Sequence, residues 1–166
     1  MTDSIAVVAE PISAEAFAPY GKVITSRSPD PDGRNVTLAV VDADFTGGPT
    51  IIRALTFRFR GFSFTHLEQH GSFTQAFLPA DGKPAIVVVA KPVAEVGSDP
   101  DLSTLKAFIL DGTQGILLDK GAWHFAPFPL ADLATYTMIG CADTAKESEG
   151  YLDMSERTGK PFQIIV

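Results

Sequence analysis

Phe62-Ser63-Phe64-Thr65-His66-Leu67-Glu68-Gln69-His70 carries two of the chain's three histidines and a glutamate at even positions. Alternate side chains of a strand share one face. The spacing therefore predicts a strand over 62–70 with His66, Glu68 and His70 on the same side. Gly71-Ser72 follows, and Phe73 to Leu78 reads as a second strand ended by Pro79. Two short extended segments with a turn between them are the local pattern of an all-β fold.

The same pattern continues in both directions. Upstream, Ser13 caps a short helix over Ala14-Glu15-Ala16-Phe17-Ala18, stopped by Pro19-Tyr20-Gly21. Lys22 to Ile24 and Val36 to Val41 read as strands, with a loop from Ser26 to Arg34 between them. Thr50 to Arg53 and Leu55 to Phe59 look extended after the Gly47-Gly48-Pro49 turn. Downstream, Ala85-Ile86-Val87-Val88-Val89-Ala90 is apolar on both faces, which places it centrally. Leu105 to Leu110, Ile116 to Leu118, Ala134 to Ile139 and Phe162 to Val166 complete the set. Many short strands with little helix bury one face each by curling closed. The expectation is one domain over 1–166, an all-β antiparallel barrel with a short N-terminal helix and its site in the mouth. A sandwich is the alternative.

Composition narrows the function. Twenty acidic against thirteen basic residues give a net charge of -7, which excludes a nucleic-acid partner that clustered Lys and Arg would hold. No apolar run is long enough to span a bilayer, and the start has no basic region before an apolar stretch, so no signal peptide is expected. The single cysteine, Cys141, allows no internal disulfide and reads as a buried structural thiol in a cytoplasmic protein.

The polar candidates gather in two patches. On a straight strand His66 and His70 lie about 13 Å apart, too far to share one ion. Glu68 and His70 can share one, Gln75 can return on the next strand, and His124 in Lys120-Gly121-Ala122-Trp123-His124 can complete the set. Imidazole with carboxylate or carboxamide oxygen suits a divalent ion such as nickel, manganese, iron or zinc. Glu68, His124 and Lys120 are the catalytic candidates. Arg53, His66 and Trp123 are the candidate substrate contacts, Arg53 as a carboxylate clamp, Trp123 as either packing or a stacking ring. Arg58 and Arg60 read as surface residues if the strand breaks at Gly61. No phosphate loop and no nucleophile elbow is present.

Leu67-Glu68-Gln69-His70 with Thr74-Gln75-Ala76-Phe77-Leu78-Pro79 resembles a block of the ureidoglycolate lyase family. Val87 to Ala90, Pro100 to Phe108, Gln114-Gly115, Trp123-His124 and Pro127 resemble the regions that follow, and Ile12 to Phe17 with Tyr20-Gly21 resembles the start. The resemblance implies a cupin-type barrel, commonly paired as a homodimer. It implies an enzyme that releases glyoxylate and urea from ureidoglycolate in purine (allantoin) breakdown. Carried over, the cupin metal positions fall on Glu68, His70, Gln75 and His124. Three positions depart from the family pattern: Gln69 stands for an arginine, Asp119 for a histidine and Phe125 for a second histidine. They keep two alternatives open, a divergent cupin enzyme acting on another small hydroxy- or amino-acid derivative and a non-catalytic small-molecule-binding cupin.

Overall fold

The structure is a computed structural model and describes residues 3–25, 39–93, 95, 97–142 and 150–166. Its elements in chain order begin with β1 (Ile5–Pro11), α1 (Ala14–Phe17), β2 (Gly21–Ile24), β3 (Thr50–Arg58), β4 (Ser63–Phe64) and β5 (His66–Leu67). They continue with β6 (Gln75–Pro79), β7 (Ala85–Ala90), β8 (Lys106–Leu110), β9 (Gly115–Leu118) and β10 (Trp123–Pro129). The last are β11 (Leu133–Cys141), β12 (Leu152–Asp153), α2 (Ser155–Thr158) and β13 (Phe162–Ile165). Ser13 caps α1 as expected, its hydroxyl accepting from the Ala16 amide at 3.1 Å.

Two curled sheets face each other in an all-β arrangement. One runs β10-β7-β8-β1-β13-β4 and the other β2-β9-β6-β11-β3, with β12-β5 as a separate small pair. Between the sheets lies a core that includes Phe17, Phe77, Val87, Val89, Phe108, Ile116, Tyr136 and Met138. The opposite face of β7 is buried too. Ile86 and Val88 share a second cluster with Phe64, Trp123, Phe128, Phe162 and Ile164, because the β13–β4 end of the first sheet packs back over its β7–β10 end. This is why β7 is buried at every position, as its unbroken apolar run predicts.

The structure differs from the sequence reading in specific places. β1 was not expected, and it pairs in parallel with β13 through Ile5 to Val8 and with β8 through Ala9 to Pro11. β10 was also not expected. The segment 62–70 is not one strand: β4 pairs with β13, β5 with β12, and Glu68 makes only an isolated bridge to His124. The strand from Phe73 starts instead at Gln75. Of the strand expected over Val36 to Val41, residues 36–38 lie outside the described residues and Ala39 to Val41 are not extended into a sheet. The expected Ser26 to Arg34 loop also lies outside them. Arg58 is exposed. The Arg60 guanidinium lies 4.2 Å from the Phe128 ring centroid and donates to the carbonyls of Ala126 (2.6 Å) and Pro127 (3.0 Å). It thereby ties the chain after β3 to β10, where the ladder to β7 shifts register between Phe125 and Phe128.

Tyr136 on β11 gives a stability test of this core. Its ring is buried against Phe57 and Phe77, and its hydroxyl has no hydrogen-bond partner among the described residues. Burial, aided by the charge of Asp81, pushes its pKa up to about 12. The neutral form is thus favoured by folding, a contribution complete below the unfolded value near 10 and lost as pH rises through 12. In an alkaline absorbance titration one tyrosine is expected to ionise late and together with unfolding. Tyr136→Phe is expected to abolish that step, to relieve about 1 kcal/mol and to raise the melting temperature by about 2–4 °C.

Candidate active site

The site is built on the bridge between Glu68 and His124. The Glu68 amide donates to the His124 carbonyl at 2.7 Å, and the His124 amide donates to the Glu68 carbonyl at 2.8 Å. Residues that exchange both bonds lie directly opposite each other with side chains on the same face. The carboxylate and imidazole accordingly meet, Oε1 of Glu68 standing 3.4 Å from Nε2 of His124. Gly121 donates its amide to the His70 carbonyl at 2.8 Å, which fixes the next ligand along. His70 stacks on Phe73 with ring centroids 4.9 Å apart, and its ring lies 5.3 Å from that of His124. One ligating atom each from Glu68, His70 and His124 fall within 4.8 Å of one another.

Hydrogen bonding sets the proton on His124. Nδ1 lies 3.0 Å from the Ala122 carbonyl, which can only accept, so Nδ1 carries the proton. In the neutral ring Nε2 is then a bare lone pair. It is buried, has no hydrogen-bond partner among the described residues, and faces a carboxylate oxygen. In the protonated ring Nε2–H donates to that carboxylate; in the neutral ring two acceptors face each other, and a cation between them takes the place of the proton. Burial alone would raise the Glu68 carboxyl, but the adjacent His124 and the charge of His70 outweigh it and hold its pKa below the usual range. Gln75, the first residue of β6, adds a buried carboxamide whose Oε1 also has no hydrogen-bond partner among the described residues. Two imidazoles, an ionised carboxylate and an unsatisfied carboxamide oxygen are a donor set compatible with a divalent metal.

Glu68, His70 and Gln75 line a cavity of about 210 Å³, and His124 stands against Glu68 beside it. Strand β3 presents Arg53, Leu55 and Phe57 to the same cavity. A larger groove of about 340 Å³ lies elsewhere, between β1 and the turn at Leu102–Leu105, and is lined by no histidine, cysteine or carboxylate.

The sequence model of the family described as Ureidoglycolate lyase matches residues 4–164. The chain belongs to the ureidoglycolate lyase family. Relatives named ureidoglycolate lyase include that of Burkholderia mallei (strain NCTC 10229), 34% identical over 78% of this chain and 79% of that one. That of Azotobacter vinelandii is 32% identical over 78% and 81%, and that of Escherichia coli O1:K1 / APEC is 38% identical over 71% and 76%. Among solved structures, RmlC from Streptococcus suis in complex with dTDP-D-xylose overlaps with a TM-score of 0.41 and 13% identity, over 60% of this chain and 48% of that one.

Not every residue singled out in this family member by sequence reaches the cavity. Glu68, His70, Gln75 and Arg53 line it, and His124 meets Glu68 beside it. His66 does not join them. It faces Asp153 across the β5–β12 pair at 3.5 Å and stacks on Tyr151. Trp123, one residue before His124 on β10, points to the opposite face and is buried in the outer cluster. The Lys120 ammonium is held by Asp44 at 2.5 Å, and it keeps the Asp44 carboxyl far below its ordinary range.

The three departures from the family pattern also lie off the cavity. Gln69 is fully buried behind it, Asp119 pairs at 3.8 Å with Lys22, and Phe125 stacks on Phe64. Sequence reasoning missed Leu55, Phe57, Phe77, Met138 and Ala126 as cavity residues. The odd-numbered periodicity of β3 would have signalled Leu55 and Phe57 together with Arg53. Ala126 carried no signal, because its strand was not foreseen.

Proposed function

We propose that this protein is a ureidoglycolate lyase that splits ureidoglycolate into glyoxylate and urea, late in purine breakdown. The observation that carries the reading is the convergence of Glu68, His70 and His124 at a cavity that also presents Arg53, in a chain matched by this family over residues 4–164. The departures that kept another substrate open face away from that cavity, so they supply no reason to assign one.

The substrate carries a carboxylate, a carbinol hydroxyl and a ureido nitrogen on one carbon. Arg53 binds the carboxylate with charge-assisted hydrogen bonds. Glu68, ionised, takes the hydroxyl proton. The oxygen's electrons form the aldehyde C=O, the C–N bond breaks, and its electron pair leaves on nitrogen. The protonated Glu68 returns the proton to that nitrogen, so urea departs neutral and the carboxylate is regenerated. Leu55, Phe57, Phe77 and Met138 keep water from the cavity wall. The Lys120 ammonium pairs with Asp44 and does not line the cavity.

Glu68, His70, Gln75 and His124 would hold a divalent ion, nickel, manganese or zinc by their donor types. What such an ion supplies when bound is Lewis acidity toward the substrate's oxygens. Elemental analysis of purified protein identifies it. The products test the reaction class: the lyase releases one urea per glyoxylate, and ammonia in place of urea would sink the assignment. Arg53→Ala is expected to raise KM by about 10- to 100-fold, the loss of one charged hydrogen-bonding partner, with kcat changed far less. Steady-state kinetics check it.

The same reading extends to a cytoplasmic homodimer. Among the described residues no helix is long and apolar enough to cross a membrane. Among the described residues strand β3 ends its sheet, paired on one edge only, by β11, and Ile52 on it is 71% exposed. Edge strands of this kind pair with another chain unless charge blocks them. Sedimentation is expected to give a dimer for the wild type and a monomer for Ile52→Lys.

A further inference from the structure

We propose that Gln69 is a positioning residue that sets the separation of the two halves of the metal site. The inference rests on the metal reading above. Gln69 stands between Glu68 and His70 in sequence, yet its side chain is 0% exposed and points away from the cavity. The Glu68–His124 bridge explains the direction. With Glu68 and His124 on the cavity face, their neighbours Gln69 and Trp123 fall on the opposite face. There Gln69 makes two bonds. Its Nε2 donates to the Gly121 carbonyl at 2.7 Å, and its Oε1 accepts from the Gly97 amide at 3.1 Å.

The first bond matters most for geometry. Gly121 lies in the turn that leads into His124, and its amide already donates to the His70 carbonyl. Gly121 is therefore gripped from both sides by consecutive residues of the segment that carries Glu68 and His70. Its φ of +76° is one that glycine adopts without strain, which lets the turn present both groups at once. Behind the pair, Gly150 closes the space: a Cβ there would lie 2.8 Å from Gln69 Cβ and 2.8 Å from the Trp123 ring. The Gly150 backbone packs directly against Gln69 and Trp123. The amide is thus locked by packing and by both its bonds, and it carries that rigidity to the turn before His124. Residues that orient metal ligands without touching the metal typically change affinity by about 10- to 100-fold when replaced.

The test uses cobalt(II) as a spectroscopic probe on the full chain. Gln69→Met keeps the volume and removes both bonds. Gln69→Leu also removes both bonds, with a differently shaped apolar side chain. Ile164→Ala, in the outer core cluster, serves as a control that lowers stability without touching the site. Expected are equal cobalt affinities for wild type and Ile164→Ala, and affinities weaker by about 10- to 100-fold, with altered d–d bands, for both Gln69 variants. Folded Gln69 variants with wild-type affinity and spectrum would overturn the inference and leave the metal reading standing. A wild type that binds no cobalt would overturn the metal reading and this inference with it.

Discussion

His124→Ala is expected to lower glyoxylate release from ureidoglycolate by at least about 10³-fold. The general base it serves, Glu68, accounts for about 10²–10⁴ by itself, and His124 contributes to three features of the site. Its Nε2 is the group opposite Glu68, its imidazole holds the Glu68 carboxyl ionised, and its ring stands beside that of His70. Without it, Glu68 is left half-buried beside a cavity with less to counter its burial, and its pKa moves up. The pH dependence follows from the sign. In the wild type the base form is present above the depressed pKa of Glu68 and is lost as pH falls through it. In the variant, residual activity should decline at higher pH than in the wild type. Circular dichroism should show the fold retained, because the two backbone bonds of the Glu68–His124 bridge do not need the imidazole. Metal content measured on the same sample should fall with activity.

Trp123→Ala carries the largest expected effect on stability. Trp123 is 1% exposed in the cluster shared by Ile86, Val88, Phe128 and Phe162. Truncating a buried ring of this size costs about 3–5 kcal/mol, which lowers the melting temperature by roughly 10 °C for a chain of this length. Trp123→Phe keeps most of the packing and is expected to leave KM within about twofold, since the ring faces away from the cavity and forms no part of transition-state binding. A large KM change in a stable Trp123→Phe variant would return Trp123 to the substrate contacts.

The parts legible in the sequence are those whose signal is local. β7 is a short unbroken apolar run, and β11 alternates buried and half-buried residues as a strand with one covered face should. The α1 cap is a serine three residues before the amide it serves. β1 was illegible because only Val7 of its residues is buried and its partners, β13 and β8, are remote in sequence. β10 was hidden by Pro127 and Pro129, which normally argue against a strand. It tolerates them because its ladder shifts register at that point, and Arg60 takes up the Ala126 and Pro127 carbonyls.

The site shows the same division. Residue type and spacing brought forward Glu68, His70, Gln75 and His124, all now near one cavity. Alternation misjudged His66, because the segment is not one strand. β5 pairs with β12 and turns His66 toward Asp153, while Glu68 pairs with His124. No local rule shows which strand a residue will face across a sheet. Lys120 was brought forward by its nearness in sequence to His124; its ammonium pairs with Asp44, remote in sequence, and does not line the cavity.

The central claim is that Glu68, His70, Gln75 and His124 form a metal-assisted lyase site for ureidoglycolate. The most direct measurement is glyoxylate release by purified protein supplied with nickel or manganese, with and without a chelator. Release well above the spontaneous rate is expected, lost on chelation and restored when metal is returned. No release above the spontaneous rate with either metal would contradict the claim.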